Sequence, residues 1–236
     1  MIFVFDLWGD YAHFSHPATI YSSLTYPIPP KTTIMGILGA IGGFGTTEDY
    51  LFLSSILYSV KVKRLRGKQN FIFNGIKNAL PSIDLKKGFQ KIKKRKQFYR
   101  ELLLNPEYRI YIDFGMVEEK LNVEKIKTNI LKHKSLFPVY LGINFCLADF
   151  KYVGEFQEKE VKSNNSFVDI ASFIKVGDKF KLETGRNYSD IRIATTINKK
   201  RFFGGWIDLL VELNGKSIKG CPQNYSIVNG ENLVFI

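Results

Sequence analysis

The order of strand-like and helix-like segments along the first 156 residues is the feature that most constrains the fold of this chain. Strand-like segments are continuously apolar or alternate apolar with polar residues, and helix-like segments space their apolar residues three or four positions apart. The order is strand, helix, strand, strand, helix, strand, at residues 2–7, 31–43, 58–66, 98–114, 123–133 and 150–156. This is the order of a split βαβ unit, so we predict an α+β fold with a ferredoxin-like, or RRM-like, core.

Two further segments extend the predicted core. A basic stretch at 67–97 separates the second and third strands, which predicts a long basic β-hairpin, or thumb, with an elaborated tip. Beyond the core, strand-like segments occur at 179–183, 191–197, 206–213, 225–228 and 233–236. We therefore predict a ferredoxin-like domain over 1–157 and a small β-rich C-terminal extension over 158–236, plus a short helix at 48–57.

The positive charge of the chain is concentrated in one segment. The net charge is +12, yet residues 61–100 contain 14 Lys and Arg against one acid, Asp84, so the other 196 residues sum to −1. Such a segment neutralises phosphates, and interleaved aromatic rings such as Phe98 and Tyr99 stack on unpaired bases. We predict RNA contacts from its basic residues, chiefly Arg64, Arg66, Lys91, Lys93, Lys94, Arg95, Lys96 and Arg100. A membrane surface or an acidic protein remains an alternative partner.

The start of the first helix is a second candidate site. The prolines at 27, 29 and 30 exclude a helix before Lys31, and Gly42 with Gly43 predicts its end. The hydroxyls of Thr32 and Thr33 are expected to cap the helix, as Asn122 is expected to cap the second one. Free backbone N–H groups, two hydroxyls and a lysine also suit a phosphate, so both interpretations stay open.

Several classes of site are disfavoured by the sequence. Two cysteines, Cys146 and Cys221, are too few for a disulfide scaffold or a four-thiolate zinc site, and we expect no metal and no cofactor. A Walker A loop and GxGxxG are both absent from the sequence. The longest weakly polar run, 34–45, is far shorter than the ~20 residues of a membrane-spanning helix. The first residues lack a basic start, so we expect a cytoplasmic protein without membrane contact.

Several blocks of the sequence resemble one protein family. The blocks are GDYAHF at 9–14, TYPIPPKTTIMGILGAI at 25–41, LNPEYRIY at 104–111, FPVYLG at 137–142, and 147–149 with 153–155. In this order they resemble the CRISPR-associated (Cas) five family of the RAMP superfamily, and most of all its subtype I-B members. The resemblance covers about residues 1–156 and is weak beyond them.

The resemblance implies a non-catalytic subunit of a type I Cascade surveillance complex. The family binds the repeat-derived 5′ handle of the crRNA and docks against the backbone subunits and the large subunit. On this chain it implies handle phosphates at Lys31, Thr32 and Thr33, and base stacking by Trp8, Tyr11 and Phe14. The first loop follows the N-terminal strand and spans residues 8–30. Family members often have a basic residue after the phenylalanine of this loop, where this chain has Ser15.

An enzymatic alternative comes from subtype I-C, whose member of this family cuts repeat RNA without a metal by using Tyr, Lys and His. Lys132 and His133, with Tyr140, match those residue types. Such a site would deprotonate the ribose 2′-OH for attack on the phosphate. A histidine at the C-terminal end of a helix also complements the helix dipole, which is the simpler explanation of His133.

Overall fold

A computed structural model describes residues 1–16, 19, 23–76, 95–163 and 165–236. Two helices, α1 Lys31–Gly42 and α2 Lys120–Leu131, and a 3-10 helix, Glu48–Ser55, are found in these ranges. The strands of the first part are β1 Ile2–Gly9, β2 Tyr11–Ala12, β3 Phe14–Ser15, β4 Thr25–Tyr26, β5 Leu57–Arg64, β6 Gly67–Ile76, β7 Arg95–Leu104, β8 Glu107–Asp113 and β9 Ala148–Phe156. Those of the second part are β10 Glu158–Lys162, β11 Val168–Ile170, β12 Ile174–Lys175, β13 Lys179–Lys181, β14 Tyr188–Ile197, β15 Phe203–Glu212, β16 Ile218–Cys221, β17 Asn224–Val228 and β18 Glu231–Leu233.

The first part is built on an antiparallel sheet with the strand order β5-β8-β1-β9. The N-terminal strand lies inside this sheet, and both of its faces are covered. Phe3, Phe5 and Leu7 join the main core, whereas Ile2 and Val4 pack with residues of β17 and β18. Burial on both faces explains the unbroken apolar start of the sequence. The protein is therefore a mixed α+β protein, as predicted.

The ends of the helices test the local sequence signals. α1 ends at the double glycine as predicted: Gly43 is left-handed, with φ +80°, and Phe44 N–H donates to the Gly39 carbonyl at 2.8 Å. The predicted caps are wrong. Pro30 precedes α1 and Glu119 precedes α2, and within the described residues neither helix has a side-chain cap. Asn122 lies inside the first turn of α2, because the helix begins three residues earlier than predicted.

The hairpin of β6 and β7, which we call the arm, extends from the sheet. Its register runs from Gly67 opposite Leu104 to Ile76 opposite Arg95. The sequence of 67–76 has weak periodicity, yet it forms a full strand because β7 provides a continuous ladder of partners. The predicted contacts Lys91, Lys93 and Lys94 lie outside the described residues.

The C-terminal residues are β-rich, as predicted. They form one sheet ordered β10-β17-β18-β11-β16-β13 and another ordered β12-β15-β14. The segment predicted as a strand at 233–236 is a strand only at Leu233. Apolar side chains of this part, such as Phe173 and Leu209, belong to the same buried cluster as Phe5 and α1. The division at 157/158 stays a prediction, since one core serves both sides of it.

A network of charged side chains crosses the central sheet. Arg109 donates to both carboxylate oxygens of Asp6, at 2.8 and 3.0 Å, and Lys63 donates to Asp6 and to Glu107. Burial alone raises the pKa of Asp6, but the hydrogen bonds from Arg109 and Lys63 outweigh it and hold the pKa below the ordinary 3.8. Glu231 bonds Lys61 and the hydroxyl of Tyr111, and its pKa is likewise lowered from 4.5 despite its burial.

This network predicts acid sensitivity. A carboxylate whose pKa is lower in the folded state stabilises the fold above its unfolded-state pKa, and this stabilisation disappears as pH falls through the folded-state pKa. We expect the free energy of unfolding in urea to decrease between about pH 5 and about pH 3. Asp6→Asn should be less stable than the wild type at pH 7 and should lose less on acidification. An equal loss in both proteins would contradict this role of Asp6.

Candidate nucleic-acid interface

The arm has two chemically different faces. Side chains of residues directly opposite in an antiparallel pair point to the same face, and alternate residues point to opposite faces. Phe71 lies opposite Arg100, Phe73 opposite Phe98, and Gly75 opposite Lys96. We call this the aromatic face; over 69–75 and 96–102 its described positions hold two cations, three phenylalanines and no acid. Arg95 and Tyr99 belong to the opposite face, which also contains Glu101.

The phenylalanines of the aromatic face form a row. The rings of Phe73 and Phe98 are stacked, with centroids 5.5 Å apart and planes at 19°, and Phe71 follows with its centroid 6.2 Å from that of Phe73. Lys96 Nζ lies 5.9 Å from the centre of the Phe98 ring. Phe71 is 46% exposed. Exposed rings beside cations are the combination that binds single-stranded nucleic acid.

The basic residues near the arm divide into paired and unpaired groups. Lys61 and Lys63 pair with acids of the sheet network, Lys68 Nζ lies 3.0 Å from Glu101, and Arg64 lies 3.6 Å from Glu107. Over the described part of the chain, no ion pair is formed by the remaining four cations, Arg66, Arg95, Lys96 and Arg100. The excess charge of the segment is therefore smaller at the sheet than the sequence count predicts, and three of the four unpaired cations lie on the arm.

A cleft of about 890 Å³ lies next to the first loop. The outer side of α1 forms its floor, and the 3-10 helix, the loop at 137–147 and the β14–β15 hairpin form its walls. Its lining includes the predicted contacts Thr32 and Thr33 and the aromatic residue Tyr140. The β14–β15 hairpin adds Arg201, Phe203 and Trp206, none of which the sequence signals singled out.

Lys31 does not share the cleft with the two threonines. Its side chain projects from the side of α1 that faces the core, and the residue is 6% exposed. Burial lowers the pKa of Lys31, because the charged form is poorly solvated there. The side chain of Lys31 is therefore almost entirely covered by protein, whereas Thr32 and Thr33 face the cleft.

The three predicted stacking residues of the first loop have different environments. Tyr11 is 44% exposed, and Trp8 is half-buried on β1. Phe14 is 1% exposed and packs in the core with its ring centroid 6.2 Å from that of Tyr108. The prediction that Phe14 stacks on a base is wrong for this conformation, because the residue is only 1% exposed.

A buried histidine positions the first loop. His13 is fully buried; its Nδ1–H donates to the Glu101 carbonyl at 2.8 Å, and burial lowers its pKa. On its other side, His13 N–H donates to the Leu141 carbonyl at 3.0 Å. Gly142 follows with φ +90°, and a Cβ there would lie 2.0 Å from the His13 carbonyl oxygen. The sequence signals missed this contact because its members are 88 and 129 positions apart.

The residues of the alternative nuclease site are not assembled by hydrogen bonds. His133 has φ +51° just after α2, and its Nε2 lies 2.6 Å from Asp149 Oδ1. Asp149 Oδ1 also accepts the N–H of Phe150 at 2.8 Å. Within the described ranges, no hydrogen bond joins His133 to Lys132 or Tyr140. Asp149 is a partner that the sequence reasoning did not identify.

The cysteines, the potential metal ligands and the lengths of the helices bear on the other kinds of site. Both cysteines are free and buried, and burial raises the pKa of the Cys146 thiol to about 11. No group of three or more potential metal ligands occurs among the residues that the structure describes. Neither helix in the described ranges is long and apolar enough to cross a bilayer.

Known proteins resemble this chain in sequence and in fold. A search of curated proteins finds no match. Among solved structures, a crystal structure of a Cas protein has 15% identity and a TM-score of 0.53, covering 91% of this chain and 96% of that chain. A CRISPR protein from Archaeoglobus fulgidus has 13% identity and a TM-score of 0.53, covering 98% and 97%. A chain described as a CRISPR RNA-guided surveillance complex has 12% identity and a TM-score of 0.54, covering 93% and 91%.

The sequence profile of one family matches most of the chain. The family is described as "CRISPR-associated protein (Cas_Cas5)", and the match spans residues 2–207. It includes the central sheet, the arm, both helices and the β14–β15 hairpin up to Ile207. By this match, which extends over far more than half of its length, the chain belongs to the CRISPR-associated Cas5 family.

Proposed function

We propose that this protein is a non-catalytic RNA-binding subunit of a type I CRISPR Cascade complex in the cytoplasm, of a subtype close to I-B. It binds the repeat-derived 5′ handle of crRNA and docks against the backbone subunits and the large subunit. Family membership and the fold likeness to an RNA-guided surveillance complex support this proposal. We assign the sheet order β5-β8-β1-β9 with α1 and α2 to a ferredoxin-like core, and the arm to the thumb.

The aromatic face of the arm is the observation that carries this proposal. A protein that holds RNA without a base code needs cations for the phosphates and flat rings for the bases. Lys96 and Arg100 supply unpaired cations, and Phe71, Phe73 and Phe98 supply a row of rings between them. No carboxylate on the described part of this face repels phosphate.

The enzymatic alternative receives less support from the geometry. A general base must reach the proton that it removes, and the remaining groups must surround the same phosphate. His133 is instead directed to Asp149, and the described residues show no hydrogen bond between the three predicted catalytic side chains. We therefore keep the non-catalytic assignment.

Removing the two cations of the aromatic face tests the proposal. With repeat-derived RNA, Lys96→Ala combined with Arg100→Ala should lower the affinity about tenfold near physiological salt. The slope of log K against log salt should become shallower by about 1.4, because each single-strand phosphate contact contributes ~0.7. Both values come from titrations at several salt concentrations.

A matched pair of lysines provides the control. Lys159 and Lys179 are exposed on β10 and β13, away from the arm, and their double alanine variant removes the same charge. It should retain most of the affinity and the full slope. Equal effects of the two double variants would contradict a specific role for the arm.

A further inference from the structure

Gly36 in helix α1 has no explanation within the protein itself. Glycine is a poorer helix former than alanine, so a glycine inside a helix usually marks a close contact. Gly39 fits this rule, since a Cβ there would lie 2.8 Å from the ring of Tyr50. At Gly36, the nearest described atom to a Cβ would be Tyr50 Oη at 3.9 Å, an ordinary contact. An alanine would therefore fit at Gly36.

Gly36 lies on the floor of the cleft. Thr32, Thr33, Gly36 and Ala40 share the outer side of α1, because residues three and four apart lie on one face of a helix. Their small side chains make this floor shallow and flat. The helix backbone is uncovered at Gly36, so a bound molecule can approach it closely.

The walls of the cleft are aromatic and lack negative charge. Tyr140, Phe203 and Trp206 are 41%, 47% and 42% exposed, which is unusual for rings that surround a single cleft. Arg201 is the sole charged group among the described residues of the lining. The positive end of the α1 dipole lies at the same floor. An occupant with flat rings and negative charge complements these features.

The cleft is connected to the arm through the first loop. The first loop forms part of its wall through Phe14, Ser15 and Tyr26, and the same loop is bonded to the arm. Thr25 N–H and Lys68 Nζ both donate to Glu101 Oε1 of β7, at 3.1 and 3.0 Å. The first loop therefore connects the base of the arm with one wall of the cleft.

We propose that the cleft binds the base of one unpaired nucleotide of the RNA, with the base lying against the helix backbone at Gly36 and beside the ring of Trp206. This inference rests on the proposed function and adds a second, base-holding site to it. The hydroxyls of Thr32 and Thr33 lie on the same floor, where they can bond polar groups of the nucleotide. The volume of the cleft is within the usual range of small-ligand sites.

Fluorescence of Trp206 tests the occupancy of the cleft. The chain contains two tryptophans, so in a Trp8→Phe background the emission reports Trp206 alone. Saturation with an unstructured repeat-derived RNA should quench this emission, because stacking brings a base against the indole. Gly36→Leu in the same background should abolish the quenching and lower the affinity about tenfold, the usual effect of losing one stacked base.

Gly36→Ala provides a second test with effects of opposite sign. The methyl group fits in the free protein and favours the helix, so the melting temperature should rise by about 2 to 4 °C. The same methyl group separates the base from the backbone, so the RNA affinity should fall several-fold. A rise in both stability and affinity would overturn the inference.

The outcomes separate this inference from the proposed function. Thr128→Leu places the same leucine side chain on the exposed side of α2, away from the cleft, and should retain quenching and affinity. Arm-dependent binding without any change in Trp206 emission would overturn the base site and leave the proposed function intact; the cleft would then suit a protein segment. Absence of RNA binding at every salt concentration would overturn both.

Discussion

Gly142→Ala is expected to reduce the free energy of unfolding by about 4 kcal/mol, close to the largest effects of single substitutions. The position has φ +90°, where any L side chain is strained, and the new Cβ would lie 2.0 Å from the His13 carbonyl oxygen. A backbone oxygen cannot rotate away, so the loop at 137–147 has to separate from the first loop. Urea unfolding followed by circular dichroism measures the loss.

Gly230→Ala is the matched control for this experiment. Gly230 has φ +79°, and no described atom lies within 4 Å of the position of its Cβ. It should show only the cost of the left-handed backbone, about 1 kcal/mol. The difference between the two variants isolates the clash with His13. Equal losses would mean that the contact between the two loops adds nothing to stability.

Reversing the charge of the aromatic face is expected to lower RNA affinity by about a hundredfold or more. Lys96→Glu with Arg100→Glu replaces two cations by two carboxylates, which repel phosphate instead of attracting it. Lys96 is exposed and Arg100 is half-buried without an ion pair among the described residues, so the fold should be retained, and circular dichroism can verify this. Titration with repeat-derived RNA at one fixed salt concentration measures the effect.

Arg95 tests whether RNA affinity depends on the aromatic face or only on the total charge of the arm. Arg95 precedes Lys96 on β7, projects from the opposite face and is equally exposed. Arg95→Glu and Lys96→Glu change the net charge by the same amount. The first should reduce the affinity by a few-fold and the second by about tenfold. An equal reduction would show that binding follows the total charge of the arm and not its aromatic face.

Local signals predicted much of the fold correctly. The end of α1 follows from Gly43, since a left-handed residue there closes the helix without help from distant residues. The buried face of α2 follows from the spacing of Val123, Ile126 and Ile130. The start of α1 at Lys31 follows from the prolines before it, but its cap was predicted wrongly, because Thr32 and Thr33 have capping side chains and yet lie inside the first turn.

Properties that depend on distant partners were predicted less well. Lys61 and Lys63 count toward the basic segment, yet they pair with Glu231 and Asp6, which are 170 and 57 positions away. The sequence predicts that Phe14 is exposed in a loop, but Gly142 and its loop cover the side chain. The cleft combines residues from α1 and from the β14–β15 hairpin, more than 150 positions apart. Local patterns contain no information about such pairs.

Glu101 gives the arm and the cleft a fixed spacing. Its carbonyl accepts from His13 and its carboxylate accepts from Thr25 N–H, so two hydrogen bonds fasten the base of the arm to the first loop, which forms part of the cleft wall. Two binding sites at a fixed separation also fix the distance between the two nucleotides that they bind. In this protein, the length of RNA between a base in the cleft and the phosphates on the arm would be set by geometry before any RNA arrives. Such an arrangement can select a fixed number of nucleotides between the two sites without recognising their sequence.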